Sequence, residues 1–129
     1  MHKTKTVTLL ASATRTATAT GTAVNTLARV GATTGEAEGY TRHMHVFQTI
    51  GTVSGTTPTL DLTVEGSVDG GTTYFPLTAS AAWTQVTAST SKQVRRYEGP
   101  IPPLVRAVAT IGGTSPSYGT HEVKALIGG

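Results

Sequence analysis

From residue 43 onward, apolar and polar side chains alternate in short runs, which is the pattern of β-strands that bury one face. In the run 43–49, one face is predicted to carry Met44, Val46 and Gln48, and the other His43, His45, Phe47 and Thr49. The run 60–65 repeats this, with Leu60, Leu62 and Val64 alternating with Asp61, Thr63 and Glu65. Asp69-Gly70-Gly71 then predicts a tight turn. Further short strands are predicted over 74–77, 83–86, 91–97, 104–111 and 118–127, with Pro76 marking an edge.

One short phrase occurs twice. Residues 52–59 read Thr-Val-Ser-Gly-Thr-Thr-Pro-Thr and residues 110–117 read Thr-Ile-Gly-Gly-Thr-Ser-Pro-Ser. Glycine supplies the positive φ that a chain reversal needs, and proline lacks a donor for the ladder. Each copy is therefore predicted to close a β-hairpin between two apolar runs.

The N-terminal third has a different composition. Lys5–Ala11 alternates well enough for a strand, but residues 13–22 are nearly all Thr, Ala and Gly, with little apolar bulk to bury. This stretch is either an outer strand or an arm ordered by a neighbouring molecule, and Thr16, Thr18 and Thr20 are candidate partner contacts. We divide the single domain into a strand and arm over 1–39 and a body over 40–129. On the arm interpretation, deleting residues 1–22 would weaken attachment to a particle more than it unfolds the domain.

These patterns predict an all-β protein. About eight or nine short strands separated by Gly, Pro and Thr turns favour an antiparallel, jelly-roll-like β-sandwich with an extended N-terminal arm. A small closed barrel is the alternative. The 129 residues suffice for one domain with a core.

The composition excludes some kinds of chemistry and some classes of binding partner. The chain has no Cys, which excludes disulfides and thiolate chemistry, and no apolar run approaches the length of a membrane span. Residues 1–13 resemble a signal peptide only faintly, and a first strand explains them better. The net charge of +3 comes from scattered cations, and only 5% of residues are aromatic, so neither nucleic-acid nor membrane binding is expected. Attraction to an acidic protein surface fits the excess better.

Candidate chemistry is sparse, and neither a catalytic residue nor a cofactor or metal is expected. His43 and His45 share one strand face and His121 could join them around a metal, but solvent-facing strand residues explain them more simply. Asp69 lacks the further oxygen ligands that a calcium loop needs. Asp61 and Glu65 share a strand face but lie four residues apart, and no nucleophile motif is present. An enzyme is therefore not expected.

Two sets of side chains suggest binding instead. Lys92, Arg95 and Arg96 form either a docking patch or a solvated edge strand. The aromatic residues could form a sugar-stacking platform, although single aromatics near strand starts are more often core anchors. They are Tyr40, Tyr74, Trp83, Tyr97 and Tyr118.

Several stretches together resemble small structural proteins of tailed bacteriophages. They are Val-Thr-Leu-Leu-Ala-Ser-Ala at 7–13, Val-Ser-Gly-Thr-Thr-Pro-Thr-Leu-Asp-Leu at 53–62, Val-Glu-Gly-Ser-Val-Asp-Gly-Gly-Thr at 64–72, Thr-Gln-Val-Thr at 84–87 and Val-Arg-Ala-Val-Ala-Thr-Ile-Gly-Gly-Thr-Ser-Pro-Ser at 105–117. The resemblance spans most of 5–120, and its motifs are turns and strands without catalytic content.

The resemblance implies a virion protein assembled in the host cytoplasm. A head decoration or cement protein, often trimeric, that binds the major capsid protein and stabilises the shell is the first expectation. A tail or fibre module, or a carbohydrate-binding sandwich touching the host surface, is the alternative. The charged stretch His121-Glu122-Val123-Lys124 departs from the pattern and argues against a buried interface at a C-terminal edge.

Overall fold

A computed structural model describes residues 4–26 and 43–128, and these residues form strands and turns without a helix. The strands are β1 (Thr4–Arg15), β2 (Ala19–Thr20), β3 (Val24–Asn25), β4 (His43–Ile50), β5 (Val53–Ser67), β6 (Phe75–Pro76), β7 (Ser91–Glu98) and β8 (Leu104–Gly128). The predicted all-β antiparallel class is confirmed. Tyr40, residues 1–3, the loop 31–36 and the boundary at 39/40 lie outside the described residues.

The last strand organises the whole fold. β8 is 25 residues long, and all described strands except β6 and β7 pair with it directly. Along one edge it meets β5 with its first half and β4 with its second half. Along the other edge it meets β3 and β2 with its first half and β1 with its second half. A sequence of uniformly short strands was expected, so this part of the prediction was wrong.

The position of β8 also corrects the reading of the charged stretch at 121–124. That stretch was taken for a C-terminal edge, but it lies between β4 and β1 in the middle of the sheet. His121 and Val123 are fully buried on the inner face. Glu122 and Lys124 point outward and form a 3.8 Å ion pair. The charges therefore belong to the solvent face of a central strand, as alternation requires.

The two copies of the repeated phrase do not close hairpins; they face each other within one antiparallel pair. Residues 53–67 of β5 run against 104–118 of β8, with register shifts at the phrase itself. Gly55 and Gly113 both have positive φ, at 113° and 104°, as do Thr57 at 46° and Ser115 at 49°. Each copy is thus a bulge, and the prediction of two hairpins was wrong. Bulged positions and reversals both need positive φ, which is why the sequence signal is shared.

The bulges and the break near Gly51 let the sheet curl into a half-barrel, so that its two halves share one core. Val105 and Ala107 from the first half of β8 and Val123 and Ala125 from the second half are all fully buried in that core. Tyr118, at the bend, is also fully buried, and its hydroxyl donates to the Val86 carbonyl oxygen at 2.6 Å. This is the two-layered, one-core arrangement that the sandwich prediction describes.

The predicted strand faces are confirmed, and the chain reverses after β5, but through the loop 68–74 and not through a tight turn. The predicted strand over 83–86 was wrong, since only Val86 forms a bridge there, to Leu60. Met44, Val46 and Gln48 are buried, and Leu60, Leu62 and Val64 are buried. β5 returns as β6 through residues 68–74, and β6 lies at an end of the sheet. The Asp69 carboxylate organises this loop by accepting hydrogen bonds from Ser67 Oγ and from the backbone N–H groups of Thr72 and Thr73, at 2.8, 3.1 and 2.9 Å.

The N-terminal segment is an outer strand, the first of the two alternatives left open by its sequence. β1, β2 and β3 follow one another along the edge of β8, and Leu9 and Leu10 are only 1% and 5% exposed. The Gly21 N–H donates to the Ala107 carbonyl at 2.8 Å. Because Leu9 and Leu10 belong to the core, the structure favours a different outcome for the deletion of 1–22, namely loss of the fold rather than of attachment alone.

Candidate docking face

The three histidines do not come together. His43 and His45 lie on the outer face of β4, with ring centroids 6.4 Å apart. His121 is fully buried on the inner face, where its Nε2 lies 2.9 Å from Gln48 Oε1. Within the described residues, no group of three metal-ligating side chains is found. The geometry of these three residues therefore does not support a shared metal, and the simpler interpretation as solvent-facing residues was wrong for His121.

The His121 site makes folding stability depend on pH. Its Nδ1 accepts a hydrogen bond from Arg15 Nε at 2.9 Å, so the imidazole is neutral in the fold. Burial, and then the charge of Arg15, lower the pKa of His121 to about 4, against an ordinary value of 6.5. Folding favours the neutral imidazole. The contribution of His121 to the free energy of unfolding is therefore complete above pH 6.5 and is lost as the pH falls towards 4.

We expect the free energy of unfolding to fall by on the order of 3 kcal/mol between pH 7 and pH 4 because His121 must take up a proton. Urea melts across this pH range measure the fall, and NMR titration of the His121 ring measures its pKa directly. The His121→Gln variant is the control, and its stability should vary much less between pH 6.5 and 4. An equally steep loss in that variant would assign the effect to other groups.

The carboxylates singled out from the sequence are engaged in structural contacts. Asp61 accepts from Gln85 Nε2 at 2.9 and 3.2 Å, and Glu65 pairs with Arg106 Nε at 2.9 Å. Hydrogen bonds from the loop backbone, chiefly from Thr73, lower the pKa of Asp69. All three carboxylates thus have local partners that account for their positions.

Four of the five aromatic residues singled out from the sequence lie in the described part of the chain, and these four do not form a shared stacking surface. Tyr97 and Tyr118 are 2% and 0% exposed and belong to the core. Trp83 donates from Nε1 to Tyr97 Oη at 2.7 Å, and Tyr74 stacks against the Arg106 guanidinium at 3.7 Å from the ring centroid. Tyr40 lies outside the described residues. The four described aromatics are anchors and stacking partners, the simpler of the two interpretations.

The basic cluster on β7 is divided between the two faces of the strand. Arg95 points towards the segment 82–84, donates from Nε to the Ala82 carbonyl at 2.8 Å and lies 5.4 Å from the Trp83 ring centroid. Lys92 and Arg96 point to the opposite, outer face and are exposed. Arg95 thus holds the segment 82–84 against the sheet by a hydrogen bond, whereas Lys92 and Arg96 remain on the surface.

The outer face of β7, β4 and β8 presents an apolar centre with charged side chains around it. Phe47 and Val94 are directly opposite each other across β4 and β7 and are 42% and 45% exposed. On its other side Phe47 is opposite Lys124 of β8. Directly opposed side chains in antiparallel strands are near neighbours, so these three residues are adjacent. We call this surface, together with Lys92 and Arg96, the docking face.

The docking face carries an excess of positive charge. Three cations, Lys92, Arg96 and Lys124, accompany two carboxylates, Glu98 and Glu122. Arg96 and Glu98 form a 3.7 Å pair with side chains 51% and 65% exposed, a geometry that holds its ions only weakly. Lys92 has no ion-pair partner among residues 4–26 and 43–128. The face is therefore apolar in the middle and mildly basic at its rim.

The size of the docking face limits the strength of one contact. With β1 beside β8, four strands spaced about 4.8 Å apart and about seven residues long give a surface of roughly 450 Å². Stable protein complexes bury about 800 Å² on each partner. A single copy would therefore bind modestly, and firm attachment would need many copies on a repeating surface.

A second exposed apolar pair lies at the tip of the β5–β6 hairpin. Val68 and Phe75 are 73% and 58% exposed. The Asp69 hydrogen bonds described above hold this loop. Since the pair is not on the docking face, it offers a control of matched chemistry.

The threonines proposed as partner contacts lie around β2. Thr16, Thr18 and Thr20 are exposed, and Thr18 Oγ1 accepts from the Ile111 N–H at 3.1 Å. Thr20 pairs with Val108 in the ladder. They stay predictions as binding residues. Alternation separated Phe47 from Met44 and Val46, but it could not identify the neighbours Val94 and Lys124, because only the strand pairing brings them together.

Comparisons with known proteins establish a similarity of fold alone. No protein-family model matches the chain, and no curated protein matches it. A solved structure of the infectious bursal disease virus Gx strain superposes with a TM-score of 0.52 at 9% identity, covering 99% of this chain and 32% of that one. This chain thus spans about a third of the viral chain. Within the described ranges 4–26 and 43–128, no helix is long and apolar enough to cross a membrane.

Proposed function

We propose that this protein is a structural component of a virus particle and works by binding rather than by catalysis. The observation that carries the proposal is the docking face, on which Phe47 and Val94 are held in the open on a rigid sheet. Exposed apolar pairs with a polar rim are typical of protein-binding surfaces. The likeness of fold to a viral structure and the resemblance to phage structural proteins support a viral setting.

Within the particle, we assign it to the decoration of the capsid shell. A shell repeats one surface many times, so the modest contact of a single docking face is multiplied by symmetry. The basic rim favours a shell surface with carboxylates around an apolar patch. A tail or fibre module remains the alternative, and it would be present in few copies.

The proposal is tested on particles of the virus that encodes this chain. Quantitative mass spectrometry of purified particles should find it in a fixed ratio to the shell protein, and the purified chain should co-sediment with heads that lack it. A few copies per particle would move it to the tail. Absence from particles, together with no binding to heads, would end the proposal.

The double variant Phe47→Ser, Val94→Ser should lose at least tenfold in affinity for such heads. Burial of these side chains contributes about 1.5–3 kcal/mol each, and 1.4 kcal/mol corresponds to a factor of ten. Co-sedimentation across a concentration series measures the change.

The matched control is Val68→Ser, Phe75→Ser at the hairpin tip, which should stay within about twofold of the wild type in affinity. Equal losses in both double variants would show that binding does not use the docking face.

Lys92→Glu should also weaken binding, and more strongly at low salt than at high salt.

A further inference from the structure

Arg15 is a half-buried cation without a carboxylate partner in the part of the chain that the structure describes. It lies at the end of β1, where Nε donates to His121 Nδ1 at 2.9 Å and Nη2 donates to the Ala11 carbonyl oxygen. A guanidinium has five N–H donors, so three remain without an acceptor there.

Neither of its two acceptors offsets the charge of Arg15. The carbonyl of Ala11 is neutral, and His121 accepts at Nδ1 only as the neutral imidazole. Burial also lowers the pKa of Arg15. The guanidinium is still partly open to solvent, so its remaining N–H groups can reach an anion beside it, and hydrogen bonds from a cation to an anion are the stronger kind. The fold therefore holds a guanidinium in position without neutralising it.

Beside Arg15 lies an open cavity of about 330 Å³ between β1 and residues 20–22. Arg15 lines it together with the threonines Thr8, Thr20 and Thr22 and with Leu9, Leu10 and Gly21. Threonine hydroxyls and a guanidinium are the donors that proteins use for oxyanions.

The close approach of Gly21 to β1 shapes this cavity. A Cβ on Gly21 would lie 1.9 Å from the Leu9 carbonyl oxygen, so only glycine allows the two segments to meet here. The wall of the cavity is therefore backbone held by packing, which is the kind of rigid support a small binding site needs.

We propose that this cavity binds an oxyanion, a carboxylate or a phosphate group, through the guanidinium of Arg15 with support from the threonine hydroxyls. A planar guanidinium binds either group with two parallel hydrogen bonds. The anion is either a free ion or the side-chain carboxylate of a partner protein. Arg15 and His121 do not belong to the docking face, although Thr8 lies opposite Lys124 at its border, and the proposal does not depend on the viral role proposed above.

The test titrates the full chain with sodium phosphate and, in a second series, sodium acetate, each against sodium chloride at equal ionic strength. NMR follows the Arg15 Nε–H and His121 ring signals, and thermal melts follow stability. We expect saturable shifts at both residues with at least one anion. At a concentration about 100 times Kd, Tm should rise by roughly 5–10 °C. The His121 pKa should also rise, since the anion offsets the charge of Arg15.

The matched variants are Arg15→Gln and Arg96→Gln, which remove the same charge at the cavity and on the docking face. The saturable response should vanish in the first and persist in the second. A Tm rise of equal size in both would mean that phosphate acts by exclusion from the surface, and would overturn the proposal. So would the absence of saturable shifts in the wild type with either anion.

The two series separate the sources of the anion. Saturation by acetate but not by phosphate identifies a carboxylate, as a partner protein would supply, and saturation by phosphate alone identifies a free ion. Should Arg15→Gln fail to fold, the Arg15→Lys variant keeps the charge but loses the paired donors, and its Kd should rise about tenfold or more.

Discussion

Deletion of residues 1–22 is expected to unfold the protein. The deletion removes β1 and β2, including Leu9 and Leu10, which are almost fully buried. Truncating one buried leucine to alanine costs about 2–5 kcal/mol, and a whole domain is stable by only about 5–15 kcal/mol. The loss of two core leucines, about 4–10 kcal/mol together, is comparable with that margin before the ladder of the 12-residue strand is counted. Circular dichroism and a two-dimensional NMR spectrum would show the loss of folded structure.

Two point variants distinguish a packing role of residues 1–22 from a role in binding. Leu9→Ala should lower the free energy of unfolding by about 2–5 kcal/mol, while Thr14→Ala, at an exposed position of the same strand, should change it by less than about 0.5 kcal/mol. A deleted chain that kept a cooperative melt would contradict the outer-strand interpretation and restore the idea of a detachable arm.

The Gly113→Ala variant is the second change with a large expected effect. Gly113 has φ of +104°, and a Cβ there would lie 2.5 Å from the Thr57 carbonyl oxygen and 2.9 Å from the Cα of Pro58. Backbone strain contributes about 1–3 kcal/mol and overpacking a similar amount. We expect a loss of roughly 2–5 kcal/mol, seen as a fall in Tm of roughly 10–20 °C.

Gly70→Ala is the matched control for that variant. Gly70 also has positive φ, at +77°, but a Cβ there would meet nothing within 4 Å. Only the strain remains, so the loss should be about 1–2 kcal/mol. Because Gly55 faces the opposite bulge with nearly the same distances, Gly55→Ala should behave like Gly113→Ala. Equal, small effects at all three sites would argue that the two bulges are not packed against each other.

The sequence predicted those features that depend on neighbouring residues. Alternation grouped Met44 with Val46 and assigned Leu62 to a buried face, and the missing ladder donor of Pro76 marked an edge strand. These predictions held because the two-residue period of a strand is set locally, whichever strand lies beside it. The chain reversal after β5 was also predicted, since Asp69 and the following glycines determine it locally, although it is a loop and not a tight turn.

The alternation of apolar and polar residues does not determine which strands pair or in what register. The phrases around Gly55 and Gly113 were interpreted as reversals, because the residues that allow a reversal also allow a bulge. The central position of β8 could not be recognised either, since its neighbours come from residues up to 124 positions earlier, as with Thr4 opposite Gly128. Contacts at such separations leave no local periodicity.

The candidate site was predicted in part for the same reason. Lys92 and Arg96 were singled out and do lie on an exposed face, but Arg95 lies on the other side of the strand. The apolar centre needs Phe47 and Val94 side by side, which only the pairing of β4 with β7 provides. No sequence pattern connects Arg15 with His121, because over a hundred residues separate them.

The central position of β8 also determines when the chain can complete its folding during synthesis. The chain is synthesised from its N-terminus, yet β1, β2 and β3 pair only with residues 104–128, and β4 and β5 have one of their two partners there. Until that segment leaves the ribosome, these strands lack a neighbour that satisfies their backbone, and their apolar faces stay open to other nascent chains. Folding is thus completed after translation of this region, by slow long-range pairing. The low hydrophobic bulk and many threonines of the early strands would help keep the waiting chain in solution.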